Sequence, residues 1–308
     1  LALFGKEEAE EFLTTLLGDE VGATGRSPLH GLTQLILEKT EGTPFFMEEI
    51  VQELGEQGVL VRNAVEALRA APLPAALHIP PTGHGVLVAR IDRLAPDEKA
   101  LLQQLAVIGR EFPPSLVRQV IAQPEDDLYR LSSSLQHKEF LYEQSAFPEV
   151  EYTFKHALAQ EVAYGTVLHE RRKVLHEQTA RAIEALNWAT LDDRYSELAH
   201  HYSRSGNTEE AIEYLHLAGQ QAMQRSANME AISHLTMALE LLKILPDTPE
   251  RVRQELTLQL AQGAPLIATK GPATPEVGAV YARALALCRQ VGETPQLFPV
   301  LAGLRILY

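Results

Sequence analysis

The chain has 308 residues, 45 % hydrophobic and 22 % charged, with a formal net charge of −14; that length is a prior for two or three domains, and the acidity disfavours nucleic-acid binding by the chain as a whole. Its one cysteine, Cys288, excludes a disulfide framework or a multi-cysteine zinc site within one chain and points to a reducing, cytoplasmic setting. No uncharged apolar run reaches the length of a membrane span, and no signal-peptide pattern opens the sequence.

The first elements are helical. "KEEAEEFLTTLL" (6–17) sets acids in a first turn and Phe12, Leu13, Leu16 and Leu17 on one face. "GDEVGATGRSP" (18–28) reads as a loop, "LHGLTQLILEKT" (29–40) as a second helix closed by Gly42, and "FFMEEIVQELGEQG" (45–58) as a third. "VLVRN" (59–63) fits a short strand. The Pro- and Ala-rich 64–85 is irregular and makes the first domain boundary. In 85–121, Pro96 and two acids start a helix over "APDEKALLQQLAVIG", and "PPSLVRQVI" makes a short one. "PEDDLYRLSSSLQ" (124–136) is a further helix. Two aromatic-rich runs around a proline in 139–154 predict a β-hairpin, and one long helix is expected over 156–186. Three helices, a hairpin and a helix follow winged-helix order.

From about 193 the pattern repeats. In "LAHHYSRSGNTEEAIEYLHLAG", large Leu198, Tyr202 and Leu215 alternate with small Ala199, Ala211 and Ala218, with Gly206 in the turn, as in a tetratricopeptide helical hairpin. Residues 229–246 and 275–292 echo its second half at irregular spacing. A generic helical bundle is the alternative.

Chemical motifs are sparse. The sequence has no phosphate loop, and "GATGRS" (22–27) has Arg26 where the loop needs Lys; G-x-S-x-G and H-E-x-x-H are also absent. His169 and His176 share a helix face without a third ligand, which suits a solvated or partner-facing helix better than a metal. His200 and His201 are adjacent, face different ways and read as structural. The helix that would read DNA carries Arg130 as its one strong base among three acids, a poor match for phosphate.

Four segments together, "LILEKTEGTPFFMEEIVQEL", "IPPTGHGVLVARIDRLAPDEKALLQQLAVIGREFP", "EYTFKHALAQEVAYGTVLHERRKVLHEQTARAIE" and "YSELAHHYSRSGNTEEAIEYLHLAGQQAMQRSAN", resemble the STAND-type signalling ATPases. The likeness is greatest to bacterial multidomain proteins that join an AAA-like ATPase to adenylate/guanylate cyclase domains and tetratricopeptide repeats. It covers nearly the whole chain in order. It implies a mainly α fold: the end of an ATPase core and its helical lid (1–78), a winged-helix domain with a β-hairpin (79–188), and an α-solenoid of tetratricopeptide-like hairpins (189–308). With no initiator methionine and an end inside a helical pattern, the chain is expected to be a fragment whose P-loop core lies upstream.

The resemblance also implies a site. A Gly-x-Pro in the lid packs near the adenine, and Gly42 and Pro44 match it, with Thr43 where Asn is common. A histidine opening the helix after the hairpin contacts the diphosphate of ADP, and His156 stands at that place, followed by Ala157 where one branch has an acid. Free N–H donors at a helix start favour an anion, and a stiff Gly-Pro turn can lie close to a flat base. The plain alternatives are a helix-starting proline and a capping or core histidine. The expected cofactor is ATP or ADP with magnesium in an intact parent, with no tight binding by this chain alone. The expected partner is a protein or peptide on the repeats, with no direct nucleic acid and no membrane, and the parent could form a nucleotide-dependent oligomer. No catalytic residue or metal ligand is assigned to this chain. The intact parent would be an ATPase. The competing functions are a nucleotide-independent interaction scaffold and part of a STAND-type transcription activator.

Overall fold

The computed structural model describes residues 4–17, 28–40, 43–56, 82–146, 150–292 and 295–306. Of the loop expected at 18–28 all but Pro28, which the structure puts at the start of a helix, lies outside the described residues, as do the strand at 59–63 and Gly42. Within them the fold is mainly α, with fifteen helices and one small sheet. The chain divides into two compact units. The first comprises the described residues of Leu1–Glu111, Asp126–Gln144 and Tyr152–Thr166; the second, those of Phe112–Glu125, Ser145–Glu151 and Val167–Tyr308.

In the first unit, α1 (Lys6–Leu17), α2 (Pro28–Thr40) and α3 (Pro44–Glu56) pack on one another, and α4 (Gly83–Asp92) packs on α3. Leu13, Ile36, Met47, Ile50, Leu54 and Val86 are wholly buried in their shared core. The sequence read 64–85 as irregular and marked no helix after it, yet α4 starts at Gly83. Thr82 explains the start: it is extended, and its Oγ1 accepts the Gly85 N–H at 3.1 Å. Next come α5 (Pro96–Ile108), with Pro96 in its first turn, and α7 (Glu125–His137). The Glu98 carboxylate accepts the Ala95 N–H at 3.1 Å, Ser134 Oγ at 2.6 Å and Lys138 Nζ at 2.5 Å. Burial works against its charge, but these donors prevail and hold its pKa below the ordinary carboxylate value.

The predicted hairpin forms as β2 (Leu141–Gln144) and β3 (Glu151–Phe154). A short strand that the sequence reading missed, β1 (Glu111–Phe112), completes the sheet in the order β1-β3-β2. The single helix expected over 156–186 is two: α8 (Ala157–Gly165), which packs on α4 and α5, and α9 (His169–Leu186). The break has a local cause. Thr166 closes α8, its N–H shared between Val162 and Ala163 carbonyls at 3.2 Å and its Oγ1 donating to Ala163 O at 2.6 Å. Val167 then turns inward to 3 % exposure, and extended Leu168 starts α9.

In the second unit, α6 (Pro114–Val120) packs on α9. From α9 onward each helix packs on its predecessor: α10 (Tyr195–Ser205), α11 (Thr208–Gln224), α12 (Asn228–Leu242), α13 (Pro249–Lys270), α14 (Pro275–Val291) and α15 (Leu297–Ile306). The repeat positions are core. Leu198, Ala211, Leu215, Ala218, Ala231, Leu235 and Ala238 are each 1 % exposed or less. Each buried leucine contributes about 2 kcal/mol, and each alanine lets the paired helix approach. Gly206 closes α10 at φ 89°, a left-handed conformation that glycine adopts without Cβ strain. Helix α13 had no sequence prediction. Thr248 caps it, accepting the Arg251 N–H at 3.2 Å, and Pro249 follows in its first turn, so the start signal was there to read.

Candidate functional site

Pro44 is the first residue of α3. The turn before it is fixed by Thr43, whose N–H reaches Thr40 O at 2.9 Å and whose carbonyl accepts the Phe46 and Met47 N–H groups at 3.1 Å. The two phenylalanines that follow part ways. Phe46 is buried in the core of the first unit. Phe45 meets the His156 imidazole edge-on, with ring centroids 4.5 Å apart. Gly83 makes room for them, since a Cβ there would lie 3.3 Å from Phe45 Cε1 and 3.6 Å from Phe46 Cδ2.

His156 is the N-cap of α8. Its carbonyl accepts the Ala159 N–H at 3.0 Å, but its side chain makes no capping bond. The imidazole turns to α3 instead. Nε2 lies 3.7 Å from Glu48 Oε2 and 3.6 Å from Glu49 Oε1, is buried, and makes no hydrogen bond among the described residues. Burial pushes the His156 pKa down, and Lys155 and Arg90 add to this against the opposing pull of Glu48 and Glu139. The ring is therefore neutral at pH 7. The structure thus brings the residue after Pro44 and the predicted histidine into one cluster, while Gly42 is outside the described residues.

The rest of the cluster was not anticipated. Lys155 Nζ pairs with Glu48 and with Glu139 Oε2 at 2.6 Å. Burial opposes its charge, but the two carboxylates raise its pKa above the usual lysine value. Glu49 and Arg90, each 2 % exposed, form a buried ion pair. Arg90 also donates to Lys138 O at 2.6 Å and lies 4.7 Å over the Phe140 ring. Burial pushes the Glu49 pKa up despite the Arg90 charge. Alongside, Glu53 of α3 pairs with Arg93. Arg90 did leave a trace in the sequence: with Val86, Leu87 and Ile91 it holds a core position at helical spacing, where a cation needs a buried partner.

Chemically, the cluster holds a neutral imidazole, three carboxylates (Glu48, Glu49, Glu139) and two cations (Lys155, Arg90). Arg90 is committed to Glu49. Within the cluster, an anion approaching His156 therefore finds a free cation only if Glu48 and Glu139 give up Lys155.

Two histidines of the second unit, His176 and His201, are buried. His169 is exposed, whereas His176, expected on a solvated or partner-facing helix, is 1 % exposed and lies Nδ1 to Nδ1 at 2.9 Å from buried His201. The reason is the face it shares with Leu175, Thr179, Ala180 and Ile183, which is the buried side of α9. Burial, with the nearby His200, Arg204 and Arg172, lowers its pKa to about 3. Arg130, the one strong base of the helix considered for DNA, pairs with Asp127 at 3.2 Å. Among the described residues no group of three or more His, Cys, Asp or Glu side chains could hold a metal ion, and no helix is long and apolar enough to cross a membrane.

No family model matches the chain. It is 27 % identical over 285 residues to an uncharacterized protein of Rhizobium meliloti (strain 1021), a match covering 90 % of this chain and 27 % of that protein, so the chain spans about a quarter of the curated relative's length. Among solved structures it is similar to a Signal Transduction ATPase with Numerous Domains (STAND) protein with a tetratricopeptide repeat sensor from Pyrococcus horikoshii. That match has 12 % identity, covers 97 % of this chain and 50 % of the other, and has a TM-score of 0.37, too low to support an argument from shared fold.

Proposed function

We propose that the chain is the regulatory segment of a nucleotide-switched signalling ATPase. In this reading α3 is the lid helix, residues 79–188 are the winged-helix module, and the stacked helices that follow receive a protein partner. The observation that carries it is the clasp of α3 on Lys155 and His156: Phe45 meets the imidazole edge-on and Glu48 occupies the ammonium. A phosphate group of ADP and the Glu48 carboxylate are alternative anions for Lys155. Ligand binding and clasp opening are then linked, as a switch requires, because the ligand prefers one of two arrangements. Pro44 keeps the turn stiff beside the base, and His156 offers Nε2 to the phosphate.

The test is ADP and ATP affinity of the parent protein. His156→Ala and Pro44→Ala should each weaken ADP binding about tenfold or more. Glu48→Gln should tighten it by removing the competing carboxylate. Unchanged affinity in all three sinks the assignment.

A second reading, an interaction scaffold without a nucleotide role, is favoured by the nearest-neighbour packing of the second unit, which needs no ligand to form. Partner binding that ATP and ADP leave unaltered would support it.

A further inference from the structure

The second unit carries a groove of about 720 Å³ between the first half of α11, the 245–248 loop and the first half of α13. That is within the range of sites that hold a drug-sized ligand or a short peptide segment. Its apolar lining is Ile212, Leu245, Pro246 and Leu258, and its α11 wall is Glu209, Glu210 and Glu213. The two arginines in the lining are occupied: Arg251 pairs with Asp247 at 3.1 Å and Arg253 with Glu250 at 3.6 Å. Among the described residues, no ion pair neutralises Glu209, Glu210 or Glu213. Glu209 and Glu210 sit in the first turn of α11, where the helix dipole welcomes acids, but Glu213 is a turn further on and lacks that explanation. Burial and then the neighbouring Glu213, Glu184 and Glu209 raise the Glu210 pKa against the weaker opposing pull of Arg181, as expected where like charges outweigh the nearest cation.

We propose that this groove docks an extended protein segment that alternates lysine or arginine with apolar side chains. The cations would meet the α11 glutamates, and the apolar side chains would rest on Leu245 and Pro246. Charge complementarity selects this occupant. An acidic segment would add to the repulsion at Glu210, and a purely apolar one would bury three carboxylates without partners. The inference rests on the reading that the second unit receives a protein partner, and it gives that partner a chemistry.

The test is fluorescence anisotropy with the full chain and two dye-labelled hexapeptides, one alternating lysine with leucine and one alternating glutamate with leucine. The lysine peptide should bind, more weakly as salt rises. Glu209→Gln/Glu213→Gln should weaken it about tenfold, the equivalent of about 1.4 kcal/mol. Glu10→Gln/Glu11→Gln on α1, which changes net charge equally, should alter it less than twofold. All four side chains are exposed, so both variants should fold. Equal loss in the two variants would show a bulk charge effect and overturn the proposal. Binding of the glutamate peptide alone would overturn it while leaving the partner-receiving reading in place, and no binding of either peptide would count against both.

Discussion

The two units bury polar groups in opposite ways. The first joins segments far apart in sequence through charge: Glu49 to Arg90, Glu48 to Lys155, and Glu53 to Arg93. The second joins each helix to the next, and its buried polar contacts include that between the His176 and His201 rings, with His176 held neutral by burial. Charged contacts depend on every partner staying in place and answer to any competing ion. Neighbour-on-neighbour apolar packing adds up repeat by repeat and does not. A competing ion therefore has contacts to displace in the first unit and finds few in the helix-on-helix packing of the second.

The comparison can be broken most forcefully at Arg90. Arg90→Met leaves the Glu49 carboxylate buried without its partner and should cost about 3–5 kcal/mol in urea unfolding, whereas Glu49→Leu/Arg90→Met should recover most of that loss. A single variant within 1 kcal/mol of wild type would show that the pair does not hold α3.

The second expectation concerns acid. His176 has a folded-state pKa of about 3 against an ordinary value of 6.5. Between those values the unfolded chain takes up a proton that the folded chain refuses. Its contribution is thus fully present above pH 6.5 and lost as pH falls towards 3, by up to about 1.4 kcal/mol per pH unit. Thermal melts across that range should show this slope, and His176→Gln should flatten it. Smaller still is Gly206→Ala, which forces a Cβ into the left-handed turn and should cost about 1–2 kcal/mol. Smallest is Arg283→Ala. Arg283 grips Glu255 through two bonds of 2.6 and 2.9 Å but is about half exposed, so the loss should stay below about 1 kcal/mol.

Much of the second unit was legible because its rules are local. The alternation of large and small residues at Leu198, Ala211, Leu215 and Ala218 names the buried positions without knowledge of any distant segment. The hairpin at 139–154 was legible for the same reason. The division of 156–186 was missed because the helical pattern of "HALAQEVAYGTVLHERR" runs on through the Gly165–Leu168 break, which is set by the burial of Val167. The polar contacts of the first unit were illegible in their pairing. Arg90 announced a buried cation by its place on a core face, but which carboxylate answers it is settled by how α3 and α4 pack. Residues 49 and 90 are neighbours only in the folded chain. Phe45 and Phe46 look equivalent in "TPFFMEE", and only the arrangement of α3, α4 and α8 sends one to the core and the other to His156.

The contact between His176 and His201 has one more consequence. Two Nδ1 atoms 2.9 Å apart cannot both carry hydrogen, nor can both be bare. One ring donates from Nδ1 and the other accepts at a bare Nδ1, so the accepting ring carries its proton at Nε2 and two identical side chains take different roles. In ¹⁵N spectra the two residues should therefore differ as donor and acceptor, a broken symmetry set by a single shared hydrogen.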